Sequence, residues 1–258
     1  MPTALVTGAS AGIGRSFAEQ LAGRGHDLVL VARREDRLRA LAETLESAHS
    51  IAVEVLAADL ASDAGVAAVE QRIASGSALD LLVNNAGFAA RGPVADLDLG
   101  AFETMLRVNI FALVRLSRAA MARMLGDGRG AIVNVASGTV FMQMPGNAGY
   151  GASKNFVTAF TRHMQVEAAG SGVAVQLLIP GVVATDFHEV AGNDLRNFPP
   201  ERVMKAGDLV AACLKGLDMG EAVCIPFLPD VRDWQAYVAS EQALVPNESR
   251  DRVAERYQ

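Results

Sequence analysis

Two side chains in the middle of the chain have types and spacing that suit acid–base chemistry. Tyr150 and Lys154 lie four residues apart at the start of a predicted helix, so their side chains lie on one face. A free tyrosine has a pKa of about 10, and a close ammonium group stabilises the phenolate and lowers that pKa. Such a pair is also common on exposed helices, so its meaning depends on the residues around it.

The surroundings of this pair favour a shared site. Ser137 ends a predicted strand thirteen residues before Tyr150, and parallel strands end at a common edge of their sheet. Another strand ends in the segment NNAG, residues 84–87, whose small residues let a ligand approach closely. Asn109 lies inside a predicted helix, where asparagine is an unusual choice. Its amide could hold a water molecule or bond to the backbone.

A glycine-rich turn joins the first predicted strand to the first predicted helix. Its sequence TGASAGIG, residues 7–14, has the context of a dinucleotide-binding fingerprint. Gly8 permits the tight turn, Gly12 lets the backbone approach a pyrophosphate, and Gly14 lets the helix pack against the strand. The N-terminus of the helix adds N–H groups and a partial positive charge for phosphates. A P-loop is excluded, because it requires a glycine where the chain has Ile13.

The end of the second predicted strand indicates which dinucleotide is bound. An acidic residue there would hold the ribose of NAD, but the chain has Arg33 and Arg34, which suit the 2′-phosphate of NADP. We therefore predict NADP rather than NAD as the cofactor. The alternative is that the two arginines only begin a solvated helix. Asp59, after the third strand, either accepts from the adenine amine or caps the following helix.

Apolar strands alternate with helices along the whole chain. This alternation predicts an α/β, Rossmann-type, doubly wound, seven-stranded parallel sheet with helices on both faces. The predicted strands are 4–7, 27–32, 51–57, 79–83, 131–136, 173–179 and 222–225, and the predicted helices are 12–24, 35–47, 62–75, 101–124, 150–169 and 207–219. We expect a single dinucleotide-binding domain over 1–258, with a substrate loop at about 181–201 and a polar tail from about 246.

Composition excludes several classes of protein. With 51% hydrophobic residues in 258, the chain is not intrinsically disordered. A net charge of −6 gives no electrostatic footprint for nucleic acid or anionic lipid. The chain has only two cysteines, which fits a reducing compartment. Its first apolar run is too short for a signal peptide, so we expect a cytoplasmic protein. The histidines have no metal-ligand spacing, so no metal site is expected.

Taken together, these motifs resemble the signature of the short-chain dehydrogenases/reductases. The resemblance rests on the motifs TGASAGIG, NNAG and YGASK together with Asn109, Ser137, Pro180-Gly181 and Thr185. It implies a nicotinamide cofactor and hydride transfer between that cofactor and a carbonyl or alcohol carbon. One departure is Ala11, where many NADP-preferring relatives have a basic residue. The phosphate would then depend more on Arg33, Arg34 and Ser10.

The resemblance also implies a role for each catalytic residue. Tyr150 would be the general acid in reduction and the base in oxidation, and Ser137 would hydrogen-bond the substrate oxygen. Lys154, with the positive charge of an oxidised nicotinamide, would lower the pKa of Tyr150 and hold the nicotinamide ribose. Asn109 would position a water that links Lys154 to solvent. The predicted cofactor-binding residues are Gly8, Ser10, Gly12, Ile13, Gly14, Arg33, Arg34, Asp59, Leu60, Asn85, Ala86, Gly87, Tyr150, Lys154, Pro180, Gly181, Val183 and Thr185.

Mostly apolar segments are expected around the nicotinamide, which favours a medium-sized apolar ketone or aldehyde as substrate. Alternatively these residues form a lid and core packing. The candidates are Val140, Phe141, Met142, Met144, Phe187, Val190 and Phe198, with Arg91, Gln143 and His188 as polar contacts.

Two other functions stay open at this stage: a ketoreductase that acts on a carrier-bound 3-oxoacyl chain, and a dinucleotide-sensing binding protein without activity. The presence of all four catalytic residues argues against the second. A homodimer or homotetramer built on helices 101–124 and 150–169 is expected from the resemblance. The apolar stripe Phe156, Phe160 and Met164 either contributes to that interface or faces the sheet.

Overall fold

One parallel sheet of seven strands forms the centre of the fold, as expected. The computed structural model describes residues 1–76, 78–185, 187, 194–247, 249 and 251–258. The strands are β1 (Thr3–Thr7), β2 (Asp27–Ala32), β3 (Val53–Ala57), β4 (Leu81–Asn84), β5 (Gly130–Val135), β6 (Val173–Leu178), β7 (Val182–Ala184), β8 (Val203–Lys205) and β9 (Val223–Cys224). The sheet has the order β3-β2-β1-β4-β5-β6-β9, with every pair parallel. The order reverses between β1 and β4, which is where ligands bind in such sheets.

Helices cover both faces of this sheet. They are α1 (Gly12–Gly23), α2 (Glu35–His49), α3 (Asp63–Ser75), α4 (Leu99–Leu106), α5 (Leu113–Asp127), α6 (Ala148–Glu167), α7 (Ala206–Asp218) and α8 (Val231–Gln242). One buried cluster joins the sheet to α1, α2 and α7 through residues such as Phe17, Leu38 and Leu214. The other joins it to α3, α5 and α6 through Ile73, Leu116 and Met164. Strands buried on both faces explain the uninterrupted apolar runs in the sequence.

The structure differs from the sequence prediction in several elements. Helix α8 has no counterpart among the predicted helices. The predicted helix 101–124 is not one regular helix, because a π-helical segment, Arg107–Ala112, separates α4 from α5. The predicted substrate loop begins with β7, which pairs with β8 in a second, two-stranded parallel sheet. The strand predicted over 222–225 has only two residues in the sheet.

Two buried asparagines connect the central strands to the helices beside them. Asn84 on β4 donates to Asn134 on β5 at 2.9 Å and to Ser117 on α5 at 2.9 Å. Asn134 in turn donates to Thr161 on α6 at 3.0 Å. Because buried polar groups require partners, this chain of bonds fixes β4, β5, α5 and α6 in one register. Tyr150 and Lys154 lie on α6, and Ser137 follows β5.

The chain forms two compact units, residues 1–225 and 226–258. The second contains α8, which begins after Asp230, whose carboxylate accepts from the backbone N–H of Arg232 at 2.9 Å. The rings of Trp234 and Tyr237 stack on that helix with centroids 5.3 Å apart. The expectation of a single domain over the whole chain stays a prediction. Among the described helices, none has the length and apolar character needed to cross a bilayer.

Candidate active site

The predicted site residues converge on the carboxyl edge of the central strands. The glycine-rich turn follows β1, the segment 85–87 follows β4, and Ser137 follows β5. The side chain of Thr7 joins the first two of these. Its hydroxyl donates to the carbonyl of Val83 at 3.2 Å and accepts from the N–H groups of Asn85 at 2.9 Å and Ala86 at 3.0 Å. The loop after β4 is therefore held beside the turn after β1.

The glycine-rich turn has a shape that fits a dinucleotide. Gly12 has a φ of +55°, in the left-handed region that disfavours side chains. At Gly14 a Cβ would lie 2.3 Å from the carbonyl oxygen of Gly8, so only glycine lets α1 pack this closely. No side chain caps the N-terminus of α1, and its first turn has no acidic residue. Its N–H groups, including those around Ile13, can therefore receive a phosphate.

The predicted contacts to the 2′-phosphate lie next to this turn. Arg34 donates to the hydroxyl of Ser10 at 3.1 Å, and Arg33 is exposed beside it. Asp59 is exposed and Leu60 is buried at the end of β3. Of the two roles left open for Asp59, capping of α3 is excluded. The cap is Ser62, whose hydroxyl accepts from the N–H of Gly65 at 3.0 Å.

Residues 180–185 close the other side of the turn. The carbonyl of Pro180 accepts from the N–H of Gly138 at 2.7 Å, which joins the segment to the end of β5. Val183 is buried in β7. Thr185 lies against Gly12, because a Cβ at that glycine would be 3.1 Å from its side chain. Gly181, between these residues, is exposed.

Tyr150 and Lys154 lie buried together on α6. Each side chain is 5% exposed, and the Nζ atom of Lys154 is 5.9 Å from the centre of the Tyr150 ring. The amine donates to the backbone carbonyl of Val135, at the end of β5, at 2.9 Å. Ser137, two residues further along, faces the phenol, and its hydroxyl accepts from the N–H of Thr139 at 3.3 Å. The structure thus places three of the four predicted catalytic residues around one point.

Burial governs the protonation of both groups. It raises the pKa of Tyr150 to about 12, although hydrogen bonding to Ser137 and the charge of Arg91 act in the opposite direction. Burial likewise lowers the pKa of the Lys154 amine to about 8. The expected lowering of the Tyr150 pKa by Lys154 is not seen among the protein's own groups, because desolvation outweighs their charges. That expectation also required the charge of an oxidised nicotinamide.

Asn109 is buried in the π-helical segment. Both the oxygen and the nitrogen of its side-chain amide bond to the backbone of Phe88. Its Oδ1 atom accepts from the N–H of Phe88 at 3.1 Å, and its Nδ2 atom donates to the carbonyl of the same residue at 3.0 Å. Nδ2 also donates to Ser153 on α6 at 3.1 Å. A Cβ at Gly87 would lie 3.0 Å from Oδ1 of Asn109 and 3.5 Å from Nζ of Lys154. The amide therefore holds the loop after β4 against α6, and its expected water-positioning role stays a prediction.

An apolar wall surrounds the phenol. Tyr150 packs with buried Ala89 and Met105, and the ring of Phe187 lies 5.8 Å from its own. Phe88, Ala90, Phe102 and Leu106 complete this wall. Among the predicted substrate contacts, Phe141, Met142 and Met144 are 40–51% exposed, Arg91 and Gln143 are exposed, and Val140 and Phe198 are half-buried. His188 and Val190 lie outside the described residues.

Comparison with known proteins establishes the family. The family model described as short chain dehydrogenase matches residues 2–195. The chain belongs to the short-chain dehydrogenase family. This confirms the resemblance and the α/β fold class predicted from the sequence.

Two solved structures share the whole fold. A short-chain dehydrogenase from Sphingobium yanoikuyae in complex with NADPH is 40% identical, with a TM-score of 0.95 and all of both chains covered. A bulky-bulky ketone specific alcohol dehydrogenase from Comamonas testosteroni is 35% identical, with a TM-score of 0.91, covering 100% of this chain and 98% of that one.

A curated relative is longer than this chain. Very-long-chain 3-oxoacyl-CoA reductase-A from Danio rerio is 32% identical over 207 residues, which are 79% of this chain and 65% of the relative. This chain therefore spans about two thirds of that relative's length.

Some contacts of the site were not predicted from the sequence. Thr7 and Ser153 lie within the motifs TGASAGIG and YGASK, and the motifs predict no separate role for either. Thr7 nevertheless bonds to Asn85, and Ser153 bonds to Asn109, so both hold parts of the site in place. Met105 accepts from the N–H of Ala90 through its sulfur at 3.2 Å. No local pattern marks Met105, because its contact depends on how α4 packs. Among the described residues, no three His, Cys, Asp or Glu side chains are close enough to hold a metal ion.

Replacing Lys154 with methionine should change how stability depends on pH. The folded protein releases the proton of this amine near pH 8, whereas the unfolded chain does so near 10.5. Between these values the unfolded chain binds more protons, so the wild type gains stability as the pH rises, and Lys154→Met does not. The difference in their unfolding free energies should change by up to about 3 kcal/mol across this window in urea titrations.

The matched control is Lys215→Met on the exposed face of α7, which should follow the wild type. The slope from Tyr150, whose raised pKa costs stability from about pH 10 upward, is common to all three proteins and cancels. A constant difference between wild type and Lys154→Met from pH 8 to 10.5 would contradict the assigned burial of the charge.

Proposed function

We propose that this protein reduces a ketone or aldehyde with NADPH, and oxidises the corresponding alcohol with NADP in the reverse direction. The observation that carries the proposal is the buried phenol of Tyr150. Ser137 faces this phenol and Lys154 lies beside it. All three lie at the carboxyl edge of the strands, where the glycine-rich turn also lies. A dinucleotide-sensing protein without activity would need none of these three groups in contact.

The described residues fit a nicotinamide dinucleotide. The N–H groups at the start of α1 would hold the pyrophosphate, because no side chain occupies them. Asn85, Ala86 and Gly87 would line the middle of the dinucleotide. Val183 and Thr185 would contact the carboxamide of the nicotinamide. When bound, the nicotinamide supplies or accepts the hydride at the substrate carbon. Gly87 leaves the open space next to Lys154 in which the ribose would lie.

Tyr150 would supply the proton for reduction. With a pKa of about 12, its hydroxyl stays protonated at neutral pH and can donate to the carbonyl oxygen of the substrate. Ser137 would hydrogen-bond the same oxygen and so orient it. Lys154, with a pKa of about 8, is mainly an ammonium group at pH 7 and can return a proton toward the phenolate. Its bond to Val135 fixes its direction.

The choice of NADP rests on two arginines and a serine. Arg34 already contacts Ser10, so a phosphate beside them would meet a guanidinium and a hydroxyl at once. Arg33 adds a second exposed guanidinium. The NADPH bound to the similar Sphingobium yanoikuyae enzyme supports this choice.

The substrate is proposed to be of small to medium size and mainly apolar next to its carbonyl. Phe88, Phe102 and Phe187 around Tyr150 support this, as does the name of the similar alcohol dehydrogenase, which is specific for bulky-bulky ketones. A 3-oxoacyl thioester is the second candidate, because the Danio rerio relative is named for such a substrate. Ketones, aldehydes and 3-oxoacyl thioesters belong in one assay panel.

We also propose a homodimer or homotetramer in the cytoplasm. The three apolar residues expected to form a stripe on α6 do not share one environment. Met164 is buried, whereas Phe156 is 40% exposed and its ring stacks on that of Phe160. Phe111, in the π-helical segment, is 62% exposed, and exposed aromatic residues of this kind favour association. The two buried cysteines, Cys213 and Cys224, are unpaired thiols, which fits a reducing compartment.

Replacing Tyr150 with phenylalanine should abolish turnover and leave NADPH binding largely intact. The change removes the proton donor without changing the shape of the ring, so kcat should fall by about 10²–10⁴-fold. The measurement is NADPH consumption with a reducible ketone, together with a fluorescence titration of NADPH. Tyr257→Phe, at an exposed tyrosine, is the matched control and should equal the wild type. Unchanged turnover in Tyr150→Phe would refute the role of the phenol.

Replacing Arg33 or Arg34 with alanine should reduce the preference for NADPH. Loss of one charge-assisted bond to phosphate should lower the ratio of kcat/KM for NADPH to that for NADH by about 10-fold. Arg39→Ala, on the helix α2 that follows these two arginines, is the control, because that guanidinium pairs with Glu35. Tighter binding of NADH than of NADPH by the wild type would overturn the assignment.

Replacing Phe111 with glutamate should weaken association of the subunits. A charge on the proposed interface requires desolvation, so sedimentation equilibrium should show a smaller species than the wild type. Met219→Glu, at a methionine that is 65% exposed after α7, is the control and should leave the mass unchanged. A wild type that is already monomeric would exclude the proposed oligomer.

A further inference from the structure

Arg91 has a fixed position at the entrance to the site. The residue before it, Ala90, donates its N–H to the sulfur of Met105, whose side chain packs with Tyr150. The residue after it, Gly92, donates its N–H to the carbonyl of Gly146 at 3.0 Å, in the loop before α6. The backbone of Arg91 is therefore held on both sides, between the loop that follows β4 and the loop that leads to Tyr150.

The charge of Arg91 acts on the reacting group without a carboxylate to balance it. Its guanidinium is exposed, and no described side chain forms a hydrogen bond or ion pair with it. Other arginines of the chain have such partners, for example Arg115 with Glu70 and Arg232 with Asp230. The positive charge reaches the phenol of Tyr150, whose pKa it lowers. Because the backbone on both sides of Arg91 is bound beside the wall around Tyr150, an anion at Arg91 would lie at the entrance to the site.

We propose that Arg91 binds a carboxylate of the substrate, so that the natural substrate is a keto acid and not a neutral ketone. The inference rests on the proposed function and makes its substrate class narrower. The apolar wall of Phe88, Phe102 and Phe187 takes the carbon skeleton, and the guanidinium takes the carboxylate through its planar set of donors. A fixed backbone lowers the entropic cost of this contact.

The experiment compares phenyl ketones that carry a carboxylate at one, two or three bonds from the carbonyl carbon with the methyl ester of each. Wild type, Arg91→Met, Arg91→Lys and Arg118→Met are assayed with NADPH. Arg118 lies exposed on α5 and is the matched control. Loss of the Arg91 charge also changes the pKa of the Tyr150 phenol. The esters measure that effect alone, because acid and ester both receive their proton from Tyr150.

The wild type should favour at least one acid over its ester by about 10-fold or more in kcat/KM, mainly through a lower KM, as expected for one charge-assisted hydrogen-bonded pair. Arg91→Met should remove that preference, because it should lower kcat/KM for the acid by about 10-fold more than for the ester of the same acid. Arg91→Lys should retain part of it, because the charge remains and the planar fork is lost. Arg118→Met should match the wild type.

Two results would overturn the proposal. One is a wild type that favours no acid over its ester, although it reduces the esters. The other is an equal loss for acid and ester in Arg91→Met, which would assign the arginine to the acidity of Tyr150 alone. Absence of NADPH oxidation with every acid, ester and neutral ketone would overturn the proposed function, and the inference with it.

Discussion

Removal of water from one phenol and one amine is the condition on which this site depends. Tyr150 and Lys154 are both nearly inaccessible to solvent, and burial moves their pKa values in opposite directions, upward for the phenol and downward for the ammonium group. In water the two pKa values are about 10 and 10.5. Burial keeps the proton on the phenol and makes the amine a better proton donor, so a proton that the phenol gives to a substrate can be replaced from the amine.

Such burial is stable only because hydrogen bonds from neighbouring elements surround the pair. Lys154 donates to the end of β5, and Asn109 joins the loop after β4 to α6. The buried contact between Asn84 and Asn134 fixes the two strands from which these loops emerge. A buried polar group without a partner would cost about 1–3 kcal/mol, so each bond stabilises both the fold and the position of the catalytic groups.

The seven-stranded parallel sheet and the positions of Ser137, Tyr150 and Lys154 could be predicted from the sequence, because apolar strand runs and a fixed helical spacing decide them locally. The π-helical segment could not, because Arg107–Ala112 has the composition of an ordinary amphipathic helix. The pairing of β7 with β8 and the contact between Met105 and Ala90 depend on tertiary packing. The burial that raises the pKa of Tyr150 could not be predicted either, since the spacing to Lys154 says nothing about burial.

The widened turn between α4 and α5 makes the site sensitive to the length of the chain as well as to its side chains. A π-helical turn accommodates one residue more than an α-helical turn, and such turns are often found at functional sites. Removing any one residue between Arg107 and Ala112 would restore regular winding, and it would turn Asn109 away from Phe88 by about a quarter of a revolution. The direction in which Asn109 points therefore depends on the number of residues in this segment as well as on their types.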